Sequence, residues 1–302
     1  MLERKVLSFM DTKYILENEL VQATINTLGA ELTSFKLKGD GTEYIWQADP
    51  KFWGRHAPIL FPIVGRLKDN TYRIKNRTYF MTQHGFARDL PFALISSGDD
   101  YFSFRLTSNE ETLAKYPFEF ELVVSYKLEG TSLQVTYGVQ NASSETMYFS
   151  IGAHPGFNWP LRPDQETAED YVVEFSSPET VDLLLIEGGL ISNEGKPFLK
   201  NESSFPLSED LFAKDALVFQ GLQSEKLALR SLKTDKFVEM EIEGFPYLGI
   251  WSQRGSAPFV CFEPWFGLAD EVDSDYDFTT KRGIQKLEVN GEFACTYTIT
   301  IG

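Results

Sequence analysis

A chain of 302 residues that is 42% hydrophobic and 14% aromatic can bury a sizeable core, and we expect one domain spanning residues 1–302. Its net charge of −16 at pH 7 argues against nucleic acid and anionic membranes as partners, because both attract clustered lysines and arginines. No apolar run is long enough for a membrane helix and the N-terminus lacks a signal-peptide pattern, which predicts a cytoplasmic protein, either a monomer or a homodimer.

Alternation of apolar and polar residues is the regular pattern along the chain. It is clearest in SLQVTYGVQN (132–141) and EFACTYTITI (292–301), and it is typical of half-buried antiparallel strands. Turn-type sequences separate the alternating segments, at 39–41, 75–76, 98–100 and 129–130. This pattern predicts an all-β fold, a large antiparallel β-sandwich with few short helices.

Helical periodicity is scarce. Ser208 before EDLFAKD predicts one short helix capped by the serine side chain, and 178–185 is a second possible helix. The two cysteines, Cys261 and Cys295, do not have a metal-site spacing, so we interpret them as core thiols in a reducing compartment and expect no metal.

The stretch from 56 to 92 concentrates arginine and histidine, in HAPILFPIVGRL and TQHGFARDLPF. Its polar candidates, His56, Arg66, His84 and Arg88, offer donors for hydroxyl or anionic oxygens. Taken singly, surface arginines and a turn histidine are the commoner interpretation. The apolar run before Arg66 nevertheless predicts that this side chain emerges from a buried strand into a cleft.

His154 lies in SIGAHPGFNWP, at the end of an apolar run in a chain with only three histidines. Interpreted as one strand, MYFSIGAHPG places Tyr148, Ser150, Gly152 and His154 on one face. Small residues before a histidine leave a hollow that can hold a ligand, and the following Pro-Gly places the histidine at the strand's rim. A histidine satisfied by hydrogen bonds at a sheet edge is the alternative.

Glu263 follows a segment that is apolar on both faces, in PFVCFEPWFG (258–267). Apolar surroundings disfavour a charged carboxylate and raise its pKa, which makes it a better base near neutral pH. The alternative is a glutamate paired with Lys or Arg at a strand end. Asp215, before another strand, is a weaker candidate whose alternative role is a turn or cap residue. Four aromatic residues could stack on a sugar ring or pack in the core: Phe157, Trp159, Trp251 and Trp265.

Five stretches in order resemble the aldose 1-epimerase (galactose mutarotase) family, most closely its LacX-like and hexose-6-phosphate epimerase-like branch. They are TINTLGAELTSFKLKGDGTEYIWQADPKFW, FPIVGRL, QHGFARD, SIGAHPGFNWP and CFEPWFGLAD. Each is modest alone, but together they are specific and cover nearly the whole chain. The resemblance implies a large antiparallel β-sandwich with an open cleft on one sheet, and an enzyme that interconverts the α and β anomers of aldoses.

Carried over residue by residue, the resemblance implies that Glu263 is the catalytic base and His154 the acid. Arg66 and His84 look like substrate-positioning residues, and Asp215 is similar to an aspartate that binds sugar hydroxyls. Gln83 and Arg88 belong to a QHGFAR run typical of the hexose-6-phosphate branch. The chain has Ala153-His154 where classical mutarotases have two histidines, which leaves the preferred sugar open.

Anomer exchange needs one base and one acid on opposite sides of C1, and no cofactor. The sequence has no P-loop, dinucleotide fingerprint or G-x-S-x-G motif. Three alternatives remain. The chain could be a hexose-6-phosphate 1-epimerase that binds phosphate through Arg66 and Arg88, a non-catalytic carbohydrate-binding protein, or a glycosidase, although no clear second carboxylate accompanies Glu263.

Overall fold

The structure, a computed structural model, describes residues 12–302. Within this range the chain forms short and medium strands with little helix. The strands are β1 (Lys13–Glu17), β2 (Val21–Asn26), β3 (Leu32–Leu37), β4 (Ile59–Leu60), β5 (Thr71–Ile74), β6 (Arg77–Phe80), β7 (Ala93–Ser97), β8 (Tyr101–Thr107), β9 (Phe120–Glu129), β10 (Ser132–Asn141), β11 (Met147–Phe149), β12 (Ile151–Ala153), β13 (Gly156–Asn158), β14 (Tyr171–Glu187), β15 (Leu190–Pro206), β16 (Leu217–Gln220), β17 (Lys226–Ser231), β18 (Phe237–Glu241), β19 (Tyr247–Trp251), β20 (Phe259–Phe266), β21 (Gln285–Leu287) and β22 (Glu292–Ile301).

One α-helix, α1 (Glu110–Lys115), occurs in the described part of the chain, capped by the side chain of Asn109. The remaining helices are single 3-10 turns at Lys68–Asn70, Ala87–Asp89, Ala168–Asp170 and Glu209–Phe212. Over residues 12–302, none of the helices combines the length and the apolar character that crossing a bilayer requires.

The strands form one large antiparallel sheet with three small ones beside it. The 15-stranded sheet follows the order β4-β12-β20-β19-β16-β14-β17-β18-β22-β10-β9-β8-β7, with β13 also pairing β20 and β15 pairing β14. The small sheets are β1-β2-β3, β5-β6 and β11-β21. The predicted all-β class and antiparallel pairing are confirmed.

The large sheet curves back on itself around one hydrophobic core, which makes a sandwich. Phe61 follows β4 at one end of the strand order and Phe120 begins β9 near the other end, yet their ring centroids lie 5.1 Å apart. Both rings are fully buried in a cluster that includes residues from most of the strands. Two stacked layers therefore share this core, as in other sandwiches.

The alternation seen in the sequence corresponds to inward-facing and outward-facing positions. In β10 every second residue is buried, and β10 pairs with β9 and β22 along its length. The turn sequences at 75–76, 98–100 and 129–130 connect β5–β6, β7–β8 and β9–β10 as expected. Lys75 and Gly130 adopt the left-handed backbone conformation that such turns require.

Two predictions about helices need correction. Residues 178–185 are not helical but lie in β14, because pairing with β15 and β16 outweighs the weak local signal. The predicted helix after Ser208 exists only as a 3-10 turn at Glu209–Phe212, and the serine side chain makes no capping hydrogen bond.

The prediction of one strand from Met147 through His154 is also wrong. The chain breaks at Ser150, whose N–H donates to the Pro62 carbonyl at 2.7 Å. Before the break β11 pairs with β21, and after it β12 pairs with β20 and β4. Alternation can therefore assign residues to the same face as His154 only from Ile151 onward. This switch between sheets delivers the His154 segment to the edge of β20.

Candidate active site

The cleft beside β20 contains all seven residues singled out as catalytic or substrate-binding. It has a volume of about 680 Å³, within the range typical of small-molecule sites. The structure places these residues on its lining: Arg66, Gln83, His84, Arg88, His154, Asp215 and Glu263. His56 lies elsewhere, and its Nδ1 is 2.8 Å from the Trp46 carbonyl oxygen, which gives it a structural contact.

His154 and Glu263 are neighbours across two paired strands. On one side Gly152 pairs with Trp265, and on the other Gly156 pairs with Cys261. Continuing this register places His154 directly opposite Glu263. Side chains opposite one another on antiparallel strands are separated by only ~5 Å at Cβ, so they meet without any loop having to bring them together.

The two side chains touch, with His154 Nε2 3.2 Å from Glu263 Oε2. This differs from the expected arrangement, in which the acid and the base stand on opposite sides of C1. A pyranose has no room between them and must bind over the pair. Because the separation is a hydrogen-bond distance, one proton can lie between the two groups.

Burial disfavours the charged form of both members of the pair. The pKa of Glu263 is raised well above its ordinary value by burial, and the nearby negative charge of Asp215 raises it further. The pKa of His154 is lowered by burial, and the positive charge of Arg88 lowers it further. These opposite shifts locate the shared proton on Glu263.

His84 presents an N–H donor to the cleft. The backbone N–H of His84 donates to the Gly65 carbonyl at 2.8 Å, and the backbone N–H of Gly65 donates to His84 Nδ1 at 3.1 Å. Burial and the neighbouring His154 lower the pKa of His84 well below its ordinary value. Because Nδ1 accepts the Gly65 N–H, the neutral imidazole carries its hydrogen on Nε2. This atom lies 3.2 Å from Nε2 of the Gln83 side chain, a contact between two donors that leaves the His84 hydrogen for a ligand.

The two arginines of the cleft differ in how they are held. Arg88 is half-buried, and its Nη2 donates to the Gln83 carbonyl at 2.7 Å. Burial, with Arg55 nearby, lowers its pKa to about 10. Arg66 is exposed, and its closest hydrogen-bond partner is the Gly188 carbonyl at 3.5 Å. It enters the cleft as expected, although the buried segment before it is a strand only at Ile59–Leu60.

Asp215 lies on the opposite side of the cleft from the arginines' segment, just before β16. Its Oδ1 accepts the Ala216 N–H at 2.7 Å, which leaves the other carboxylate oxygen for a ligand. Lys214, beside it, also lines the cleft and has an exposed side chain. Lys214 was not predicted, because an exposed lysine before a strand carries no distinguishing signal.

The aromatic candidates divide into two groups. Trp251 and Trp265 line the cleft, whereas Phe157 and Trp159 do not. Phe157 is fully buried against Phe262, and the Trp159 indole donates to the Ala168 carbonyl at 2.9 Å, so both are core residues. Neither ring is therefore placed to stack on a sugar in this cleft.

The hollow predicted beside Gly152 is filled. A side chain at Gly152 would collide with the Trp265 ring, and the same ring covers Gly249 on β19. The small residues thus seat the indole that forms part of the cleft wall. Trp53, which sequence analysis did not single out, also lines the cleft and stacks on His154 with ring centroids 4.8 Å apart.

A metal is disfavoured by the chemistry of the one candidate ligand group found among residues 12–302. The ligand atoms of His154, Cys261 and Glu263 all lie within 4.8 Å of one another. Burial, together with Glu263, raises the pKa of the Cys261 thiol well above its ordinary value, which opposes the thiolate that a metal requires. The expectation of a metal-free and cofactor-free reaction remains a prediction.

Comparison with known proteins matches residues 12–275 to the family model described as Aldose 1-epimerase. The chain is 38% identical to the chromosomal LacX protein of Lactococcus lactis subsp. lactis, over 95% of this chain and 98% of that protein. It is also similar to a galactose mutarotase related enzyme from Lactobacillus acidophilus (TM-score 0.93, 38% identity, 96% and 97% of the two chains). A putative glucose-6-phosphate 1-epimerase of Escherichia coli K12 is 26% identical over 50% of this chain and 52% of that protein.

Proposed function

The chain belongs to the aldose 1-epimerase family of carbohydrate isomerases, and we propose that it interconverts the α and β anomers of a hexose with Glu263 as base and His154 as acid. The observation that carries this proposal is the 3.2 Å contact between the two side chains on the wall of a sugar-sized cleft. Two proton-transfer groups within reach of one anomeric centre are what ring opening needs.

The proton balance of the reaction follows from this pair. In the ring-opening step the Glu263 carboxylate takes the proton of the O1 hydroxyl, the C1–O5 bond breaks, and the His154 imidazolium gives a proton to O5. The open-chain aldehyde then faces a protonated Glu263 and a neutral His154. After rotation about C1–C2, O5 attacks the other face of C1 while both protons return.

Burial favours the neutral pair that accompanies the open-chain aldehyde. A bound pyranose must therefore favour the charged pair, with the proton moved from Glu263 to His154. Sugar hydroxyls that donate to the carboxylate stabilise it in this way. We assign the orientation of the ring to Arg66, His84 and Asp215, which line the same cleft.

The test is anomer exchange of pure α-glucose and α-galactose, followed by polarimetry or NMR. We expect His154→Asn and Glu263→Gln each to reduce the catalysed rate by about 10² to 10⁴-fold, the usual contribution of acid–base catalysis. His56→Asn, outside the cleft, serves as the matched control and should keep the rate. Wild-type rates in both cleft variants would refute the assignment, and saturable binding without catalysis would identify a carbohydrate-binding protein.

Charge favours a second candidate, a hexose-6-phosphate 1-epimerase. The cleft lining carries three cationic side chains, Arg66, Arg88 and Lys214, and two carboxyl groups, Asp215 and the buried Glu263, in a chain whose net charge is −16. Within residues 12–302, no carboxylate lies within ion-pair distance of Arg66. An isolated cation of this kind suits a phosphate oxygen.

The two candidates are separated by kcat/KM for glucose and for glucose 6-phosphate. A preference for the phosphorylated sugar that is lost in Arg88→Ala would establish the second candidate. Equal use of both sugars, unchanged in Arg88→Ala, would leave the neutral hexose as substrate. We also propose a cytoplasmic location, which suits the two buried free thiols of Cys261 and Cys295.

A further inference from the structure

The His154 ring lacks the hydrogen bond that usually orients a functional imidazole. Catalytic and metal-binding histidines commonly use one ring nitrogen for chemistry and hold the other in a hydrogen bond. His154 uses Nε2 toward Glu263, whereas its buried Nδ1 has no hydrogen-bond partner beyond its own backbone among residues 12–302. Packing must therefore supply the orientation that a hydrogen bond supplies elsewhere.

A column of stacked rings provides that packing. The face of Trp53 lies on His154 at a centroid distance of 4.8 Å and an interplanar angle of 27°. Behind it, Phe259 stacks on Trp53 at 5.4 Å and 19°, and Trp46 stacks on Phe259 at 5.0 Å and 26°. Trp251 closes one side of the imidazole edge-on, at 5.6 Å and 82°. All these distances are typical of attractive aromatic pairs.

The backbone around Trp53 is tied down although it belongs to a loop. The Trp53 N–H donates to the Asp49 carbonyl at 3.0 Å, and the Trp46 indole donates to the Trp53 carbonyl at 2.8 Å. Gly156 leaves room for the indole, because a Cβ there would lie 3.0 Å from Trp53 Cζ3 and 3.2 Å from Trp46 Cβ. The glycine two residues after His154 thus has a packing reason.

We propose that Trp53 is a positioning residue that fixes the plane of the His154 ring and shields one face of it from water. Its catalytic consequence rests on the function proposed above, since a correctly oriented Nε2 is what proton transfer to O5 requires.

NMR of the imidazole nitrogens tests this role of Trp53 without an activity assay. The chain has three histidines, so His56→Asn and His84→Asn identify the His154 signals. We expect Trp53→Ala to admit water and raise the pKa of His154 toward its ordinary value of about 6.5, which increases its proton affinity at least tenfold. Trp53→Phe retains a stacking face and should leave the pKa near that of the wild type.

The other charged or titratable groups near His154 stay in place in both variants: Glu263 and Cys261 on β20, His84 and Arg88 before β7, and Arg55 in the same loop as Trp53. A change confined to Trp53→Ala therefore reports the loss of the indole. If His154 in Trp53→Ala titrates as it does in the wild type, the shielding of His154 by Trp53 is refuted. A fall in melting temperature alone, which any packing defect produces, would likewise count against the proposal.

Kinetics supply the second measurement. We expect kcat to fall about 10 to 100-fold in Trp53→Ala, as for a modest misplacement of a catalytic group, with Trp53→Phe recovering most of the loss. Gly156→Ala, which displaces the indole without changing it, should fall between them. An unchanged kcat despite an altered His154 pKa would overturn the positioning role. An inactive wild type would instead refute the proposed function, and the NMR measurement would still decide whether Trp53 orients His154.

Discussion

Two walls of the cleft are built in different ways. The strand wall consists of His154, Glu263 and Trp265, which face the cleft from β20 and the chain paired with it. The loop wall consists of Arg66, His84 and Arg88, which lie outside the strands, between β4 and β5 and between β6 and β7. Strand pairing sets distances within the first wall, whereas individual hydrogen bonds and glycines set them in the second.

This difference suggests a division of labour between geometry and recognition. The His154–Glu263 contact follows from register, so it needs no further device to bring the two groups together. The loop wall instead depends on Gly65 and Gly85, both in the left-handed backbone region, and on two hydrogen bonds between Gly65 and His84. We infer that the strand wall does the chemistry and the loop wall selects the sugar.

The largest expected effect tests whether the strand wall acts as one unit. If His154 and Glu263 act together in one ring-opening step, His154→Asn combined with Glu263→Gln should lose no more activity than the more damaged single variant. Each single loss is about 10² to 10⁴-fold, and groups that act as a unit are grossly non-additive. Rate constants for anomer exchange in the four proteins of the cycle provide the measurement, and multiplied losses would contradict action in one step.

The next effect tests how far the loop wall relies on its glycines. Gly85→Ala should be destabilised by about 2 to 4 kcal/mol for two reasons. The alanine would have to adopt a left-handed backbone conformation, and its Cβ would clash with neighbouring backbone atoms. Its Cβ would collide with the Phe61 carbonyl oxygen. Gly138→Ala in β10 is the control, since its Cβ would lie 3.8 Å from Val123 Cβ, an ordinary contact. Urea unfolding of both variants gives the comparison, and equal midpoints would show that the loop wall adapts.

The sequence predicted the loop wall's residues better than their arrangement. The ordered motifs identified Arg66, His84 and Arg88, because charged side chains beside apolar runs are visible locally. The direct contact of His154 with Glu263 was not predictable, since it depends on the pairing of segments about a hundred residues apart in the sequence. No local signal sets that register, and the break at Ser150 altered the strand from which it would have been inferred.

For the aromatic residues as well, the local sequence does not predict contacts that depend on distant residues. Trp159 and Trp53 both follow a turn-forming segment rich in polar residues or glycine, yet one is core and the other faces the cleft. The direction in which an indole points depends on the space that distant residues leave for it. Gly152 and Gly249, for example, leave the space that the Trp265 ring occupies. Composition could predict a buried aromatic core and the alternation of β10, but not which rings would border the substrate.

The smallest expected effect is a pair of opposite pH trends in stability within the strand wall. In the folded protein Glu263 keeps its proton to a higher pH than in the unfolded chain, where it ionises above about pH 4.3. Its contribution to stability is therefore present below that pH and is lost as pH rises toward the raised pKa of the folded state. Glu263→Gln lacks this loss, so its stability relative to the wild type should increase from pH 5 to pH 8.

His154 gives the opposite sign, because its folded-state pKa is lowered. Below about pH 6.5 His154 takes up a proton in the unfolded chain but not in the folded chain, so the wild type loses stability as pH falls. His154→Asn should therefore gain relative stability from pH 8 to pH 5. Urea unfolding across this range should show the two differences changing in opposite directions by at least about 1 kcal/mol, since each pKa unit is worth about 1.4 kcal/mol. Parallel curves would mean that the pair is held as an ion pair, and the strand wall would then owe its reactivity to charge rather than to burial.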